Sequence, residues 1–460
     1  MKKKFLALFI LSSSLGLLGA WAGLSSTQAL IIAIFSLSIL GTLFFWDFRL
    51  SFVFIGSGIF LVSGIVNLET FIRFASLDVI LFLISMMIIV GMMKEAGFFM
   101  WLITVVLRVR NLTGTKMFTI MMIASAVFSG LMGEVASIIV LVTVILNICD
   151  FLEVDPTPLI ISSVLATNIG SASTVLGNPV GVLIAARGHL TFEDFITHAL
   201  PLSTVVLLVT IVVLCFWYKN YIRELTQKLK EYQGDASFLY LISIPPDART
   251  KISMVIFGIT IFLISLHKRL ELLLRLEENT LLITIPVIFA GIVMLYRHDK
   301  ARHYIEKEVE WPSLLFFLFL FAQAGVIQAS GVADFFARKM IDIAGQNPKM
   351  LTGAILFSSG FFSSGLDNVV AVASYVPLVK SLAVLHYNLA PVWWALLFGA
   401  CYGGNITMIG STANIVALGL LEKEMNIRLA FLAWLKIGLI IGLLSMLIAY
   451  LAIITIPIYF

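Results

Sequence analysis

The feature that most limits this chain is its succession of unbroken apolar runs, each roughly 17 to 25 residues long, the reach of one helix across a hydrocarbon layer. In lipid every backbone amide and carbonyl must find a partner within the chain, so only helices or a closed barrel survive there. A barrel needs short strands of alternating polarity, whereas these runs are continuous, so helices are expected. Composition agrees: of 460 residues 60% are hydrophobic and 12% charged, with a mean hydropathy of +1.06. Soluble domains are about a quarter charged. The expectation is an all-α integral membrane protein.

Eleven spans can be drawn, at 5–23, 28–46, 50–66, 78–97, 156–187, 194–218, 251–267, 280–296, 311–330, 390–421 and 430–456. Two further apolar stretches, 117–149 and 350–382, each break near the centre, at Ser129-Gly-Leu-Met-Gly-Glu134 and at Ser363-Ser-Gly-Leu-Asp-Asn368. A helix that meets glycines and a carboxylate halfway across a bilayer reads as a re-entrant hairpin, tolerated only where protein or water surrounds it. Met1-Lys-Lys-Lys followed by Phe5 to Ala22 has the look of a cleaved signal peptide, with Ala20-Trp21-Ala22 as its cleavage site, and also of a first span with a basic cytoplasmic end; the second reading is preferred.

With that N-terminus in the cytoplasm, Lys2–Lys4, Arg49, Lys94 to Lys116, Lys219 to Lys251, Arg297 to Lys307, Lys423 and Arg428 share one side and hold most of the 30 lysines and arginines. Basic loops stay cytoplasmic, so a multi-pass protein of the plasma (inner) membrane is expected, with Phe460 outside. The domain reading is an N-terminal helix in 1–27, a first repeat in 28–218, a cytoplasmic linker in 219–250 and a second, inverted repeat in 251–460. The linker carries a charged stretch, Tyr221 to Lys230, that suits a short surface helix, then Pro245-Pro246, and about 30 residues bury no core of their own.

The two repeats match at a constant offset of 233 residues: Pro158 with Pro391, Gly170 with Gly403, Thr174 with Thr407, Gly177 with Gly410, and acidic Glu134 with acidic Asp367. Each contains five crossings plus a hairpin. An odd number of crossings sends the second copy into the membrane from the opposite face, which is the inverted-topology architecture of carriers that bind at the midplane.

The chemistry concentrates in two interrupted spans, Ala166 to Gly181 and Gly403 to Asn414. Glycine and proline cost roughly 1 and 3 kcal/mol inside a helix, so an unwound link is expected in each. The candidate ion- or substrate-binding residues are Glu134, Asn168, Ser171, Ser173, Thr174, Asn178, Asp367, Asn368, Gly404, Asn405, Thr407, Ser411, Thr412 and Asn414. A shell of neutral oxygens suits a hard cation, and Na⁺ would sit at Asn168, Thr174, Asp367, Asn405 and Thr407. The half-helix N-termini near Asn178 and Ser411 would instead favour an anion. A carboxylate at the bilayer centre costs about 3 kcal/mol and normally serves a purpose. Glu134 and Asp367 placed there would exchange a proton for a cation.

Other residues carry weaker signals. Cys149, Cys215 and Cys401 fall in apolar runs at no metal-ligand spacing, so neither zinc nor disulfides are expected. His189, His198, His267, His298 and His303 read as solvated or structural, and His386 as a candidate on a proton path. Arg187 reads as an interfacial anchor, Lys380 as snorkelling, and Trp393 and Trp394 as an interfacial belt. The net charge of +4 belongs to the loops and implies no nucleic-acid partner. There is no His-Glu-x-x-His helix and no Gly-x-Ser-x-Gly elbow, so an intramembrane enzyme is not expected.

Three segments, Ser-Gly-Leu-Asp-Asn-Val at 364–369, GGNITMIGSTANIVALG at 403–419 and ATNIGSASTVLGNPVGVLIA at 166–185, resemble the ion-transporter superfamily of citrate-transporter-like carriers. The similarity is greatest to the branch of arsenite-pump membrane subunits, sodium–proton antiporters and the P protein. The resemblance runs from about residue 28 to 456. It implies a homodimer of inverted-repeat protomers, each with a rigid scaffold and a part that moves like an elevator. It places the site at the Asp367-Asn368 tip, Gly403 to Asn414, Asn168 to Asn178 and the tip of the first hairpin. The chain lacks the Ser-Asn-Thr of the dicarboxylate branch at both tips, and departs from the family at Asn178-Pro-Val-Gly181 and Gly133-Glu134.

The expected function is alternating-access Na⁺/H⁺-type antiport with Asp367 and Glu134 as titrating ligands, needing no cofactor beyond Na⁺ and H⁺ as coupling ions. The alternatives are a Na⁺-coupled dicarboxylate or citrate carrier and an oxyanion (arsenite) permease. In one variant of the last, the chain works with a separate soluble ATPase, since it contains no Gly-x-x-x-x-Gly-Lys phosphate loop of its own.

Overall fold

The computed structural model describes residues 2–45, 48–98, 101, 112–231, 248–344, 347–384 and 388–459, and among them all regular structure is helical. Nine helices among the described residues are long and apolar enough to cross a membrane. Seven coincide with expected spans: Lys2–Trp21, Ser26–Phe44, Leu77–Glu95, Phe192–Trp217, Ala248–Ser265, Trp311–Ala329 and Phe431–Thr455. The other two are the arms of the first hairpin, Gly114–Met132 and Glu134–Leu152. Spans drawn at 50–66 and 280–296 are the shorter helices Arg49–Val62 and Thr280–Tyr296, of 14 and 17 residues. The spans drawn at 156–187 and 390–421 are both broken, into Thr157–Ser171 with Pro179–Gly188 and Ala390–Gly403 with Thr412–Met425. The chain is a multi-pass membrane protein.

Proline marks many of the starts, at Pro158, Pro179, Pro312, Pro348 and Pro391, where its missing N–H costs nothing because the first turn has no carbonyl to receive it. The first hairpin turns at Gly133, whose φ of +90° and ψ of 152° belong to a region open essentially to glycine alone. The second hairpin, Pro348–Gly365 and Asn368–Val384, turns through Leu366 in extended backbone at φ −137° and ψ 165°.

Helix starts recur along the two halves. Leu77 and Trp311, Gly114 and Pro348, and Glu134 and Asn368 are each 234 residues apart, whereas Thr157 and Ala390, and Pro179 and Thr412, are 233 apart. The second half therefore has one residue fewer between hairpin tip and broken helix. This shifts the expected pairing at the tips. The counterpart of Glu134 is Asn368, and Asp367 corresponds to Gly133, so the two carboxylates stand one position out of register rather than on equivalent sites.

Each hairpin is seated on the broken helix of its own half by backbone contact. A Cβ added at Gly170 would stand 2.2 Å from the carbonyl oxygen of Ala126, and one at Gly403 would stand 2.2 Å from that of Gly360. The charged stretch after residue 219 is the helix Lys219–Glu231, whose Ile222, Leu225 and Leu229 are buried. It abuts the base of the first hairpin, where the Gly114 N–H donates to Thr226 Oγ1 at 3.0 Å. The first helix, Lys2–Trp21, rests on the second through Gly16, whose added Cβ would meet Ala29 O at 2.8 Å.

Two side chains sit elsewhere than expected. Trp393 and Trp394 are 3% and 2% exposed rather than a belt at the interface. Trp393 packs on Gly188, and Trp394 stacks on His198 with ring centroids 5.1 Å apart. There each indole buries a large apolar area against neighbouring helices. Arg187 pairs with Asp78 at 3.3 Å and donates to Ser76 Oγ. Half-buried Lys380 lines a cavity. His386, the candidate on a proton path, lies outside the described residues.

Candidate functional site

The two links between half-helices are built alike. Asn178 and Ser411 are 233 residues apart and both are N-caps: Asn178 Oδ1 accepts from Gly181 N at 2.8 Å, and Ser411 Oγ accepts from Ala413 N at 3.1 Å. Thr174 and Thr407, also 233 apart, brace the hairpins, since their hydroxyls donate to the carbonyls of Gly130 and Ser364. Each hydroxyl oxygen also accepts from an amide within its own link, Leu176 at 3.2 Å and Ile409 at 3.3 Å. Of the five residues expected around Na⁺, these two hold backbone together. Ser173 likewise donates to Gly170 O at 2.6 Å.

The halves meet through three asparagines. Asn168 Nδ2 donates to Asn405 Oδ1 and to Asn414 Oδ1, both at 2.8 Å. Asn414 Nδ2 donates in turn to the carbonyls of Gly404 at 2.9 Å and Thr407 at 2.8 Å, which ties down the second link. Asn405 Nδ2 reaches Leu165 O at 3.3 Å, and Trp434 Nε1 donates to Asn405 O at 3.1 Å. Ser171 donates to Asn168 O at 3.0 Å and accepts from Asn178 Nδ2 at 2.8 Å; that amide also approaches Cys401 Sγ at 3.2 Å. All three asparagines are fully buried.

The two carboxylates have different partners. Asp367 Oδ2 accepts from the Thr412 backbone N–H at 3.0 Å and from the Thr412 hydroxyl, and its Oδ1 accepts from Val369 N at 3.0 Å. It caps one helix and neutralises the N-terminal end of another, where a negative charge is favoured. Glu134 is held by longer bonds from the opposite half, with Asn368 Nδ2 at 3.2 Å and 3.4 Å from its two oxygens and Ser411 Oγ at 3.5 Å. Ser171 and Asn178 also approach it. Both carboxylates are 3% exposed.

Two acceptor oxygens in this region, Asn168 Oδ1 and Asn368 Oδ1, are buried without a hydrogen-bond partner. Buried polar atoms are nearly always paired, so such an atom calls for an explanation, of which an ion is one. A cavity of about 110 Å³ has Glu134, Asn178 and Thr412 on its lining at one end and Lys94, Glu308 and Glu310 at the other. Lys94 Nζ is bound to Glu308 at 3.0 Å, and Gly91 lies against the Glu308 side chain. Glu310 stands just ahead of the span Trp311–Ala329, and burial pushes its carboxyl up from the ordinary range despite Ser313, Arg49 and Lys94. None of these mouth residues was among the candidates, although the acidic run Glu306-Lys-Glu-Val-Glu310 against an apolar span is visible in the sequence.

The arrangement is thus a buried, oxygen-rich chamber at the meeting of two hairpin tips and two broken helices, with a cavity to one end of the molecule. Comparison with known proteins fits it. The profile of the citrate transporter family matches residues 30–399 and 318–459. An uncharacterized transporter of Mycobacterium tuberculosis is 30% identical over 354 residues, covering 75% of this chain and 78% of that one. The human P protein is 22% identical over 442 residues, covering 81% of this chain and 52% of the longer protein. Among solved structures, the YdaH transporter of Alcanivorax borkumensis aligns with a TM-score of 0.54 at 15% identity, over 84% of this chain and 86% of that one, and shares the fold. With both repeats inside the matched region, this chain is a membrane transporter that belongs to the citrate transporter family.

Proposed function

We propose that the chain exchanges Na⁺ for H⁺ across the membrane. In this reading Glu134 is the carboxylate that alternates between proton and cation, and Asp367 is the fixed charge that holds the second link in shape. The observation behind it is the setting of Glu134: a buried carboxylate on a cavity lining, held by long bonds from Asn368 and Ser411 and approached by Ser171 and Asn178, with the amide oxygens of Asn368 and Asn168 buried and unpaired. A hard cation takes anionic and neutral oxygens together. An anion would need cationic side chains or free helix N-termini, and the one cation on this lining, Lys94, is paired with Glu308 at the mouth. The N-terminus of the second half-helix, the natural anion seat, already receives Asp367.

We place the N-terminus in the cytoplasm of a plasma-membrane homodimer. On that orientation the mouth at Lys94 and Glu310 faces inward and the chamber is open to the cytoplasm. In everted vesicles, Na⁺ added to a preformed pH gradient should collapse it, and Glu134→Gln should not respond. Absence of any Na⁺ or Li⁺ response by the wild type, from mildly acidic to mildly alkaline pH, would sink the reading.

The second reading is favoured by the family itself, whose profile describes citrate transporters. A Na⁺-coupled dicarboxylate or citrate carrier, or an oxyanion permease working alone or with a soluble ATPase, would use the first half-helix N-terminus at Asn178. Uptake of labelled citrate or succinate driven by a Na⁺ gradient decides for it.

A further inference from the structure

The helix Leu77–Glu95 has a cavity at each end. Lys94 lines the one that reaches Glu134, and Ser76, just before its first residue, lines another of about 210 Å³. The spacing from Ser76 to Lys94 along a helix is about 27 Å, so this second cavity lies toward the opposite face of the membrane. Its walls come from parts of the chain far apart in sequence. Arg73 belongs to the short helix Leu68–Phe74, Arg187 ends the half-helix Pro179–Gly188, Lys380 lies on the second arm of the second hairpin, and Gln328 closes the span Trp311–Ala329.

Three cations line this space and no carboxylate does. Arg187 is paired with Asp78, which is not on the lining, and Arg73 with Glu69 on its own helix, an exposed pair worth little. Lys380 makes no hydrogen bond or ion pair among the described residues, although it is half-buried. Asp78, the nearest carboxylate, pairs with Arg187 and acts on Lys380 as well, so one counter-charge serves two cations. Like charges left in excess in a partly dehydrated space are costly, and an anion with several oxygens relieves that cost by charge-assisted hydrogen bonds. Ser76 and Gln328 add neutral polar groups beside them.

The geometry points to an anion-binding site in this outer cavity, with Lys380 and Arg187 as its principal donors and Arg73 at its rim. The ligand class is a small oxyanion, phosphate- or carboxylate-like, drawn either from water or from an anionic lipid headgroup. The site is separate from the Glu134 chamber and does not depend on which ion the chain transports. It joins Arg73, on one helix, to the hairpin arm and half-helix that support the central chamber.

The test is thermal unfolding of the full-length protein in nanodiscs of phosphatidylcholine, titrated with inorganic phosphate and with citrate. Saturable stabilisation of the wild type, weakened about tenfold or more in Lys380→Gln and kept in Lys380→Arg, is the result expected for a water-borne anion. Stabilisation by phosphatidylglycerol in the disc, lost in Lys380→Gln while free phosphate and citrate do nothing, assigns the same site to a lipid headgroup. If none of these anions stabilises the wild type, or if Lys380→Gln responds as the wild type does, the site is refuted. The wild-type titration alone can refute it, so the outcome does not hang on the variants folding.

Discussion

The two hairpin tips answer one structural problem in different ways. At the second tip the acid stands before the helix begins, so Asp367 caps Val369 and clasps Thr412 in its own half. At the first tip that place is taken by Gly133, and the acid has moved one residue into the helix. Glu134 then lies between its own link, where Ser171 and Asn178 approach it, and Asn368 and Ser411 of the other half. The displacement loosens a tether: three short bonds within one half hold Asp367, whereas Glu134 is shared between the halves, with three longer bonds from the other half and Ser171 and Asn178 of its own nearby.

Six substitutions press on that comparison. The largest effect is expected for Glu134→Gln, which should reduce Na⁺-dependent proton exchange by about 100-fold or more while the protein stays folded, since proton transfer by a placed group is worth that much. A variant that still exchanges at a tenth of the wild-type rate, measured by dye-monitored vesicle assays, would break the distinction. Asp367→Ala should cost about 2 kcal/mol of stability through the lost cap and the orphaned Thr412 amide, and Asp367→Asn less than half of that, because an amide oxygen still accepts. Thermal unfolding in detergent reads both; equal losses would mean that the charge, not the hydrogen bonds, matters.

Next comes the turn itself. Gly133→Ala should destabilise by about 1–3 kcal/mol, because at φ +90° a side chain is strained even where, as here, no atom lies within 4 Å of the added Cβ. Gly365→Ala in the other hairpin, equally open and without a positive φ, should change stability by no more than about 0.5 kcal/mol. The smallest effect concerns the mouth. Glu310 is pushed up by burial, so the folded state prefers it protonated, and its ionised form weighs against folding as pH rises past the ordinary carboxylate range. Glu310→Gln should therefore unfold at a slightly higher temperature than the wild type at alkaline pH and at the same temperature in acid; the reverse order would contradict the burial.

Much of this was legible in the chain. The glycines at 170–181 and 403–410, with Pro179 in the first, announce broken helices because no intact helix tolerates them cheaply, and the 233-residue offset carries one N-cap, Asn178, onto the other, Ser411. The register of the hairpins was not legible to the residue. Pairing acid with acid at 134 and 367 was the natural alignment, and a connection shorter by one residue undoes it. Nor could the sequence tell a hydroxyl that binds ions from one that braces backbone, as Thr174 and Thr407 do, because that depends on a carbonyl 44 or 43 residues away. The bonds from Asn168 to Asn405 and Asn414 cross 237 and 246 residues, beyond the reach of any local pattern.

The glycine seams between each hairpin and its broken helix have a mechanical consequence. With Gly170 flush against Ala126 and Gly403 flush against Gly360, main chain rests directly on main chain, and no side chain lies between to act as a bearing. Such surfaces cannot slide without prising apart, so neither tip can swing open by itself like a flap. If the proposed exchange uncovers the chamber first to one compartment and then to the other, hairpin and broken helix have to travel together, cargo and cradle in a single stroke.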